Sequence, residues 1–279
     1  MRYTDQTYLK ESQYKDATNL DARITLHQRF GRRAVNWHRW IFERSYMPGE
    51  RRILELGCGT GTFWLENEER IPEGWDVTLS DLSVGMLKEA KERLENVPHD
   101  FEFTEVDAQK IPFEDDHFDM VMANQVFHHI PNASRALAEI RRVLKPGGRV
   151  YIGASGRAHL QELSELAAHL MEGASLRTFR GLFGSQTFRL EGGEALLEAN
   201  FHDVRLHRLE KNDLFVTEAE PLIAFILSMS SAETFRREPG RKVEQQTEAF
   251  RTYLERQIAD HGSIHITRAV GLLEAHSPK

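Results

Sequence analysis

Along residues 48–156, strand-like stretches alternate with stretches whose apolar residues are spaced as on one face of a helix. Five stretches predict strands, at residues 53–56, 76–81, 101–107, 118–123 and 149–154. The first is a short buried strand, and in the third apolar and polar residues alternate. Two stretches between them, residues 86–94 and 136–144, repeat apolar residues three and four positions apart, as one face of a helix does. Strand–helix alternation of this kind predicts a parallel sheet with helices packed on both faces.

The segments on either side of this region have different patterns. Residues 1–47 are helical in spacing and rich in charged and aromatic residues, until Met47-Pro48-Gly49 interrupts the pattern. After residue 156, helical stretches and short strand-like runs follow without regular alternation. We therefore predict one domain at residues 48–279, preceded by an N-terminal helical lid at 1–47. Two helical insertions are expected within the domain, at about 157–199 and 217–262.

Composition narrows the class of protein. The chain has 279 residues, of which 40% are hydrophobic, and this is enough apolar surface to form a folded core. The longest apolar run, Leu222–Leu227, is far shorter than the roughly 20 residues that a membrane-spanning helix needs. The first residues carry no apolar leader, and the one cysteine, Cys58, allows neither an internal disulfide nor a cysteine metal cage. We therefore expect a cytoplasmic protein without a membrane partner.

The most informative motif is a glycine-rich turn after the first of these strands. Residues 55–61 read Glu-Leu-Gly-Cys-Gly-Thr-Gly, whereas dinucleotide folds use Gly-x-Gly-x-x-Gly, and no Gly-Lys-Ser/Thr follows as in a nucleoside-triphosphate loop. Such a turn points backbone N–H groups at a ligand. Asp81 ends the second strand and Asp107-Ala108 ends the third, so these groups meet at one edge of a parallel sheet. A carboxylate at Asp81 suits ribose hydroxyls and Asp107-Ala108 suits an adenine edge, which predicts a nucleoside pocket.

With these motifs, the chain resembles the class I S-adenosylmethionine-dependent methyltransferases. The motifs occur in order within residues 50–155, at 53–61, 79–87, 107–113, 118–119 and 142–148. The resemblance implies an α/β fold with a doubly wound, mostly parallel, seven-stranded Rossmann-like sheet, here carrying helical lid insertions. It also implies that the last strand runs antiparallel to the rest, and residues 263–275 are expected to supply it.

The resemblance further implies S-adenosylmethionine as the cofactor and S-adenosylhomocysteine as its product. In the family's arrangement the glycine turn faces the methionine part, the carboxylate after the second strand holds the ribose, and the end of the third strand contacts the adenine. An asparagine after the fourth strand lies near the sulfur. The residues expected at these positions are Glu55, Gly57, Cys58, Gly59, Gly61, Asp81, Leu82, Met86, Asp107, Ala108, Gln109 and Asn124.

The predicted lid adds two residues to this cofactor site. Asn19, Arg23 and His27 recur four positions apart and share one face of an N-terminal helix. Arg23 is either a surface arginine or a partner for the cofactor's carboxylate. Tyr14 either closes over the cofactor or packs as an ordinary tyrosine. We include Arg23 and Tyr14 in the predicted cofactor-binding set.

Three histidines are candidate catalytic bases. His128 and His129 follow the fourth strand, beside the position where the family's reacting methyl lies, and His27 is on the lid helix. Imidazole titrates near neutrality and can take a proton from an acceptor hydroxyl or amine, although one of the adjacent pair could instead be structural. Cys58 lies between two glycines without a basic neighbour, so we expect a small filler there rather than a nucleophile. No metal site is expected, because the other histidines lack carboxylates at ligand spacing.

The predicted reaction is direct displacement, in which a small-molecule acceptor attacks the methyl carbon of the sulfonium. The protein would mainly align the two reactants and exclude water. An RNA or protein methyltransferase and a non-catalytic cofactor-binding protein stay open as alternatives. The formal net charge of −7 argues against a nucleic-acid acceptor, and residues 124–127 lack the Asn/Asp-Pro-Pro-aromatic pattern of enzymes that act on base amines. The acceptor, its attacking O, N or C atom and the oligomeric state are left open.

Overall fold

Seven strands form the central sheet, in the order β3-β2-β1-β4-β5-β9-β6. The computed structural model describes residues 4–31, 35–171, 188–210, 212–229 and 232–278. The strands are β1 Arg51–Leu56, β2 Trp75–Asp81, β3 Phe101–Glu105, β4 Phe118–Asn124, β5 Leu144–Ser155, β6 His202–Arg208, β7 Leu214–Val216, β8 Ile264–Ile266 and β9 Val270–His276. β1 to β5 are parallel, and β9 lies antiparallel between β5 and β6. The predicted doubly wound α/β fold is confirmed.

Helices connect the strands and continue beyond them. They are α1 Gln6–Tyr8, α2 Thr18–Phe30, α3 Trp37–Ser45, α4 Thr62–Leu65, α5 Val84–Arg93, α6 Ala133–Val143, α7 Gln161–Leu170, α8 Leu190–Glu198, α9 Ala219–Ser228, α10 Glu233–Arg236 and α11 Gly240–His261. A π-helical turn at Leu9–Gln13 follows α1 directly. Asn132 caps the start of α6, because its side chain accepts a hydrogen bond from the Arg135 backbone N–H at 3.0 Å.

Two apolar cores cover the two faces of the central sheet. α6 and α8 pack on one face through residues such as Leu137, Ile140 and Leu197. α3, α4 and α5 pack on the other through residues that include Trp40 and Trp64. Since adjacent residues of a strand point to opposite faces, the continuous apolar strands supply both cores. Truncating one of these buried aliphatic side chains to alanine would cost about 2–5 kcal/mol.

A third core forms a separate layer, which we call the cap. It joins α2, α7, α9 and α11 with the two-stranded β7–β8 sheet, through buried residues such as Leu26, Leu163, Ile226 and Leu254. The cap is thus assembled from separate parts of the chain, because no single one of these helices can bury its apolar face alone.

Some helices of the predicted lid segments pack in the cap, and others pack on the central sheet. Of residues 1–47, α2 belongs to the cap, whereas α3 packs on the sheet. Within the predicted insertion at 157–199, α7 belongs to the cap and α8 flanks the sheet, while residues 172–187 lie outside the described residues. Of 217–262, α9 and α11 both pack in the cap.

The predicted final antiparallel strand is present, but its predicted extent, 263–275, was wrong. Ile264–Ile266 pairs with β7 in the cap, and only Val270–His276 joins the central sheet. The chain turns between them because Glu162 accepts hydrogen bonds from the backbone N–H and the hydroxyl of Thr267, at 2.9 and 2.6 Å. Within the described residues, no helix is long and apolar enough to cross a lipid bilayer.

Candidate active site

A cavity of about 680 Å³ lies at the edge of the sheet where β1, β2 and β4 end, below the cap. Its volume is within the range of small-molecule sites. The predicted site residues that line it are Tyr14, Arg23, His27, Glu55, Gly57, Cys58, Gly59, Asp81, Leu82, Met86, Asp107, Ala108, Asn124, His128 and His129. The other two predicted residues, Gly61 and Gln109, do not line it. The strand ends therefore bring most of the predicted set together.

The glycine turn has a backbone that other residues adopt only with strain. Gly57, Gly59 and Gly61 have φ angles of 71°, 56° and 74°, in the left-handed region. A Cβ added at Gly57 would lie 2.5 Å from Cγ2 of Val126, so the turn packs directly against the residues after β4. Gly61 is the last residue of the turn before α4 begins, and it does not line the cavity.

Asp81 fastens the glycine turn to the start of α5. Its Oδ2 accepts a hydrogen bond from the Gly59 backbone N–H at 3.0 Å, and its Oδ1 accepts one from the Ser83 N–H at 2.8 Å. Burial raises the pKa of the Asp81 carboxyl, and these backbone N–H groups act in the opposite direction. A carboxylate oxygen has two lone pairs, so each oxygen keeps acceptor capacity for a ligand hydroxyl.

Glu55 is buried beneath the same turn, with only 2% of its surface exposed. Its Oε2 accepts a hydrogen bond from the indole N–H of Trp64 at 2.6 Å. The pKa of Glu55 is raised to about 7, mainly by burial. The hydrogen bond from Trp64 acts against this rise, and the negative charge of Asp81 adds to it. Glu55 therefore changes protonation near neutral pH.

Asp107 is held by groups from two parts of the chain. Its Oδ2 accepts a hydrogen bond from the Gln6 side chain and its Oδ1 accepts one from the Gln109 backbone N–H, both at 2.9 Å. Burial alone would raise the pKa of Asp107, but the bonds from Gln6 and Gln109 outweigh it and the pKa is lowered. Gln109 thus positions Asp107 from outside the cavity lining. The sequence pattern gave no signal for Gln6, because it is 101 residues away in the chain.

At the end of β4, the side chains of Asn124 and Gln125 are each held by a hydrogen bond. Asn124 Oδ1 accepts a hydrogen bond from the Trp37 indole N–H at 3.0 Å, and a Cβ at Gly153 would clash with that oxygen. Gln125 has a φ of 54°, which is strained for a residue other than glycine, and its Oε1 accepts a bond from the Ser155 hydroxyl at 3.0 Å. Sequence reasoning missed Trp37 and Gln125, since neither belongs to a local motif.

The predicted lid residues Tyr14 and Arg23 contact each other and the cap. The Tyr14 hydroxyl accepts a bond from Arg23 Nη1 at 3.2 Å. Arg23 Nε and Nη2 donate to the hydroxyl and carbonyl oxygens of Ser228, at 3.1 and 2.9 Å. Asn19, on the same helix, donates to the carbonyl of Gln13 at 3.1 Å and does not line the cavity. The guanidinium therefore ties α2 to the last turn of α9, where a cation is favoured.

The three candidate bases differ in their surroundings. Burial lowers the pKa of His27 and of His128 well below the usual value of a histidine, and neighbouring imidazole and guanidinium groups add to this effect. Nε2 of His129 lies 2.8 Å from the Tyr14 hydroxyl, and its ring centroid lies 3.9 Å from that of His128. Both His27 and His128 are therefore neutral near pH 7.

Two residues that the sequence did not single out also line the cavity. His159 precedes α7, and Arg268 lies between β8 and β9. Burial lowers the pKa of His159 to about 3, and burial also lowers the pKa of Arg268 to about 10. Within the ranges that the structure describes, no group of three or more His, Cys, Asp or Glu side chains is placed to hold a metal ion.

Comparison with known proteins agrees with this architecture. Residues 54–152 match the family model described as Methyltransferase domain. The chain is 30% identical over 132 residues to the ubiquinone/menaquinone biosynthesis C-methyltransferase UbiE of Pectobacterium atrosepticum, over 47% of this chain and 53% of the relative. The chain thus spans about half the length of the curated relatives that it matches.

Solved structures share the fold at lower identity. Phosphoethanolamine N-methyltransferase 2 of Haemonchus contortus, in complex with S-adenosyl-L-methionine, is 21% identical with a TM-score of 0.61, over 99% of this chain and 60% of that one. The [4+2]-cyclase SpnF is 21% identical with a TM-score of 0.54, over 86% of this chain and 79% of that one. At these identities the likeness concerns the fold alone. The two proteins are named for different reactions, since SpnF is a cyclase and the Haemonchus contortus protein is a methyltransferase.

Proposed function

Since this chain carries a methyltransferase domain in the class I fold, we propose that it transfers a methyl group from S-adenosylmethionine to a small-molecule acceptor. The observation that carries the proposal is the convergence of the glycine turn, Asp81, Asp107 and Asn124 on one cavity. The Haemonchus contortus enzyme with the same fold is described in complex with this cofactor. The relative from Pectobacterium atrosepticum is described as a C-methyltransferase of quinone biosynthesis.

The residues present fit such a cofactor. The left-handed turn lines the cavity at Gly57 and Gly59, and the cavity volume of about 680 Å³ is sufficient for a small-molecule site. We assign the ribose hydroxyls to Asp81, the adenine to Leu82, Met86, Asp107 and Ala108, and the methionine part to the glycine turn. Arg23 and Tyr14 close the lid side. When bound, the cofactor supplies a methyl group that its sulfonium has already activated.

The chain's own contribution is alignment, exclusion of water and, for a hydroxyl or amine acceptor, removal of a proton. Among the candidate bases we favour His129, whose Nε2 accepts the Tyr14 hydroxyl hydrogen while Arg23 donates to the Tyr14 oxygen. A proton that leaves the acceptor is then taken up by the Tyr14 oxygen as Tyr14 passes its own proton to Nε2 of His129. Their low pKa values make His128 and His27 weak bases at neutral pH. Trp37 and Gln125 keep Asn124 and the turn after β4 in place around the reacting atoms.

A small acceptor is favoured over RNA or protein because the cap lies over the cavity. α2 and α9 both contribute residues to its lining, including His27 and Phe225, and Arg23 ties these two helices together. A macromolecular acceptor would have to displace the cap helices. The single free cysteine, Cys58, is buried, which suits the cytoplasmic location that we propose.

Methyl transfer is tested with cofactor that carries a labelled methyl group. The protein is incubated with a metabolite extract, with total RNA and with total protein in parallel, and an Asp81→Asn variant serves as the control without cofactor binding. We expect label in the low-mass fraction of the extract, and about 100-fold less with a His129→Ala variant if the acceptor needs a base. Label only in RNA or protein would overturn the small-molecule assignment, and label in no pool would overturn methyl transfer.

A further inference from the structure

The cap side of the cavity contains a cluster of nitrogen groups from three elements. His27 comes from α2, His159 from the turn before α7, and Arg268 from the turn between β8 and β9. The rings of His27 and His159 stack, with centroids 6.2 Å apart and planes 22° apart. The Leu160 backbone N–H donates to the carbonyl of Thr267 at 2.8 Å, so the turns that carry His159 and Arg268 are fastened side by side. We call these three residues the cap cluster.

The cap cluster contains buried polar atoms without partners. Nδ1 of His27, Nδ1 of His159 and Nε of Arg268 are buried and make no hydrogen bond with any residue that the structure describes. Native proteins pair nearly all such atoms, and an unpaired N–H is rarer than an unpaired lone pair. We therefore assign the proton of each neutral imidazole to Nε2, which leaves Nδ1 as the unpaired acceptor. Each ring then has an Nε2–H donor, and both residues line the cavity.

Arg268 is a buried cation that forms no ion pair in the described part of the chain, although the charge of Asp213 partly offsets the effect of burial on its pKa. It is 9% exposed, and its Nη1 donates to the Asn212 side-chain oxygen at 3.2 Å. The neighbouring carboxylate of Asp213 is used elsewhere, since Oδ1 accepts the Arg268 backbone N–H and Oδ2 lies 2.9 Å from His265 Nε2. An isolated buried charge is strongly unfavourable unless a partner of opposite charge joins it.

The acidic residues of the cavity do not supply this partner. Glu55 and Asp81 lie at the end of the sheet with Trp64, Gly59 and Ser83 as partners, and Asp107 is bound by Gln6 and Gln109. The fourth, Glu66, contacts Nδ1 of His38 at 2.8 Å. Arg23 and His128 are other titratable groups of the lining that interact electrostatically with members of the cap cluster, Arg23 with His27 and His128 with His159. The cap side of the cavity thus offers hydrogen-bond donors and positive charge.

We propose that the acceptor carries a carboxylate or a phosphate that binds between Arg268, His27 and His159. This inference rests on the proposed methyl transfer, because it concerns the substrate of that site. The planar guanidinium of Arg268 suits either anion, and two imidazole N–H donors complete its contacts. Bound there, the anion holds the acceptor on the cap side of the cavity, opposite the glycine turn.

The experiment measures anion binding to protein saturated with S-adenosylhomocysteine. The probes are inorganic phosphate and benzoate, with chloride and benzamide as controls at equal ionic strength, and calorimetry gives the Kd. We expect at least one anion to bind more tightly than its control, and about tenfold or more weakening by Arg268→Gln. Arg268→Lys should retain part of the affinity, and Arg256→Gln, whose side chain is 81% exposed, should retain all of it.

The possible outcomes separate this inference from the proposed function. Binding of phosphate alone supports a phosphate ester as the acceptor, and binding of benzoate alone supports a carboxylate. If neither anion binds wild-type protein better than its control, or if Arg268→Gln binds it equally well, the inference is overturned while S-adenosylhomocysteine binding still supports the proposed cofactor site. If S-adenosylhomocysteine itself does not bind, the proposed function is overturned and the inference with it.

Discussion

The hydroxyl of Tyr14 lies 2.8 Å from Nε2 of His129, and this contact joins the N-terminal segment to the turn after β4. The carbonyl of Tyr14 also accepts a hydrogen bond from the Ser83 hydroxyl at 2.8 Å, at the start of α5. The N-terminal segment therefore passes over the cavity and is fastened on both sides of it. We therefore place this segment in the proposed cofactor site.

The first prediction concerns the Tyr14 hydroxyl. Tyr14→Phe keeps the ring but removes the bond to His129 and the acceptor for Arg23, so we expect S-adenosylhomocysteine to bind about fivefold more weakly, as the loss of roughly 1 kcal/mol implies. Calorimetry measures the Kd. Tyr46→Phe is the matched control, because Tyr46 is 50% exposed and lies outside the cavity lining. Equal Kd values for wild type and Tyr14→Phe would show that the segment does not close the site through this hydroxyl.

A second prediction concerns the close approach of the same segment to α5. A Cβ at Gly85 would clash with the carbonyl oxygen of Lys15. Alanine normally stabilises an exposed helix position over glycine by up to about 1 kcal/mol, so the clash should cancel or reverse that gain. Gly192→Ala in α8 is the control, since a Cβ there meets nothing within 4 Å.

Denaturant unfolding measures the free energy of unfolding of the two variants, and calorimetry measures their affinity for S-adenosylhomocysteine. We expect Gly192→Ala to raise the free energy of unfolding, whereas Gly85→Ala weakens S-adenosylhomocysteine binding and gives no gain in stability. A Gly85→Ala variant as stabilised as Gly192→Ala, with unchanged binding, would contradict the packing of Lys15 against α5.

A third prediction follows from the pKa of about 7 at Glu55. Its ordinary value in the unfolded chain is lower, so folding takes up a proton between about pH 4.5 and 7 and stability falls as the pH rises through that window. Glu55→Gln keeps an acceptor for Trp64 but cannot ionise. Between pH 4 and 8 we expect the variant to gain on the order of 3 kcal/mol relative to wild type.

Urea unfolding of both proteins across that pH range measures the difference. The buried histidines also titrate, but they are the same in both proteins and their contribution cancels. Glu95→Gln serves as the control on the surface, since Glu95 is exposed, and it should follow wild type at every pH. Parallel curves for wild type and Glu55→Gln would mean that Glu55 is not held in its protonated form by burial.

Much of the fold could be predicted because its signals are local. The apolar strands, the glycine turn and the position of Asp81 at a strand end are each defined by a few consecutive residues, and the parallel arrangement brings the strand ends together. The single strand expected at 263–275 failed for the opposite reason. Ile264–Ile266 and Val270–His276 both have strand-like sequences, and they are separated by contacts with distant residues: the former pairs with β7, the latter with β5 and β6, and Glu162 binds the turn between them.

The parts of the site that were missed depend on contacts between distant residues. Gln6 reaches Asp107, and Trp37 reaches Asn124, across many elements of the fold. Arg268 and His159 meet only because the cap gathers helices from separate stretches of the chain. No periodicity or motif marks such a pair, so His27 is the one residue of the cap cluster that the sequence-based prediction included.

The most direct test of the central claim is a calorimetric titration of S-adenosylhomocysteine into wild type and Asp81→Asn. Wild type should bind one molecule per chain, and Asp81→Asn should bind about 100-fold more weakly or worse, because two hydrogen bonds to a charged acceptor contribute about 1.5–3 kcal/mol each. Asp76→Asn on the same strand, with a side chain 63% exposed, should bind as wild type does. Absence of binding to wild type at millimolar ligand, or equal affinity of Asp81→Asn and wild type, would contradict the assignment of this cavity as the cofactor site.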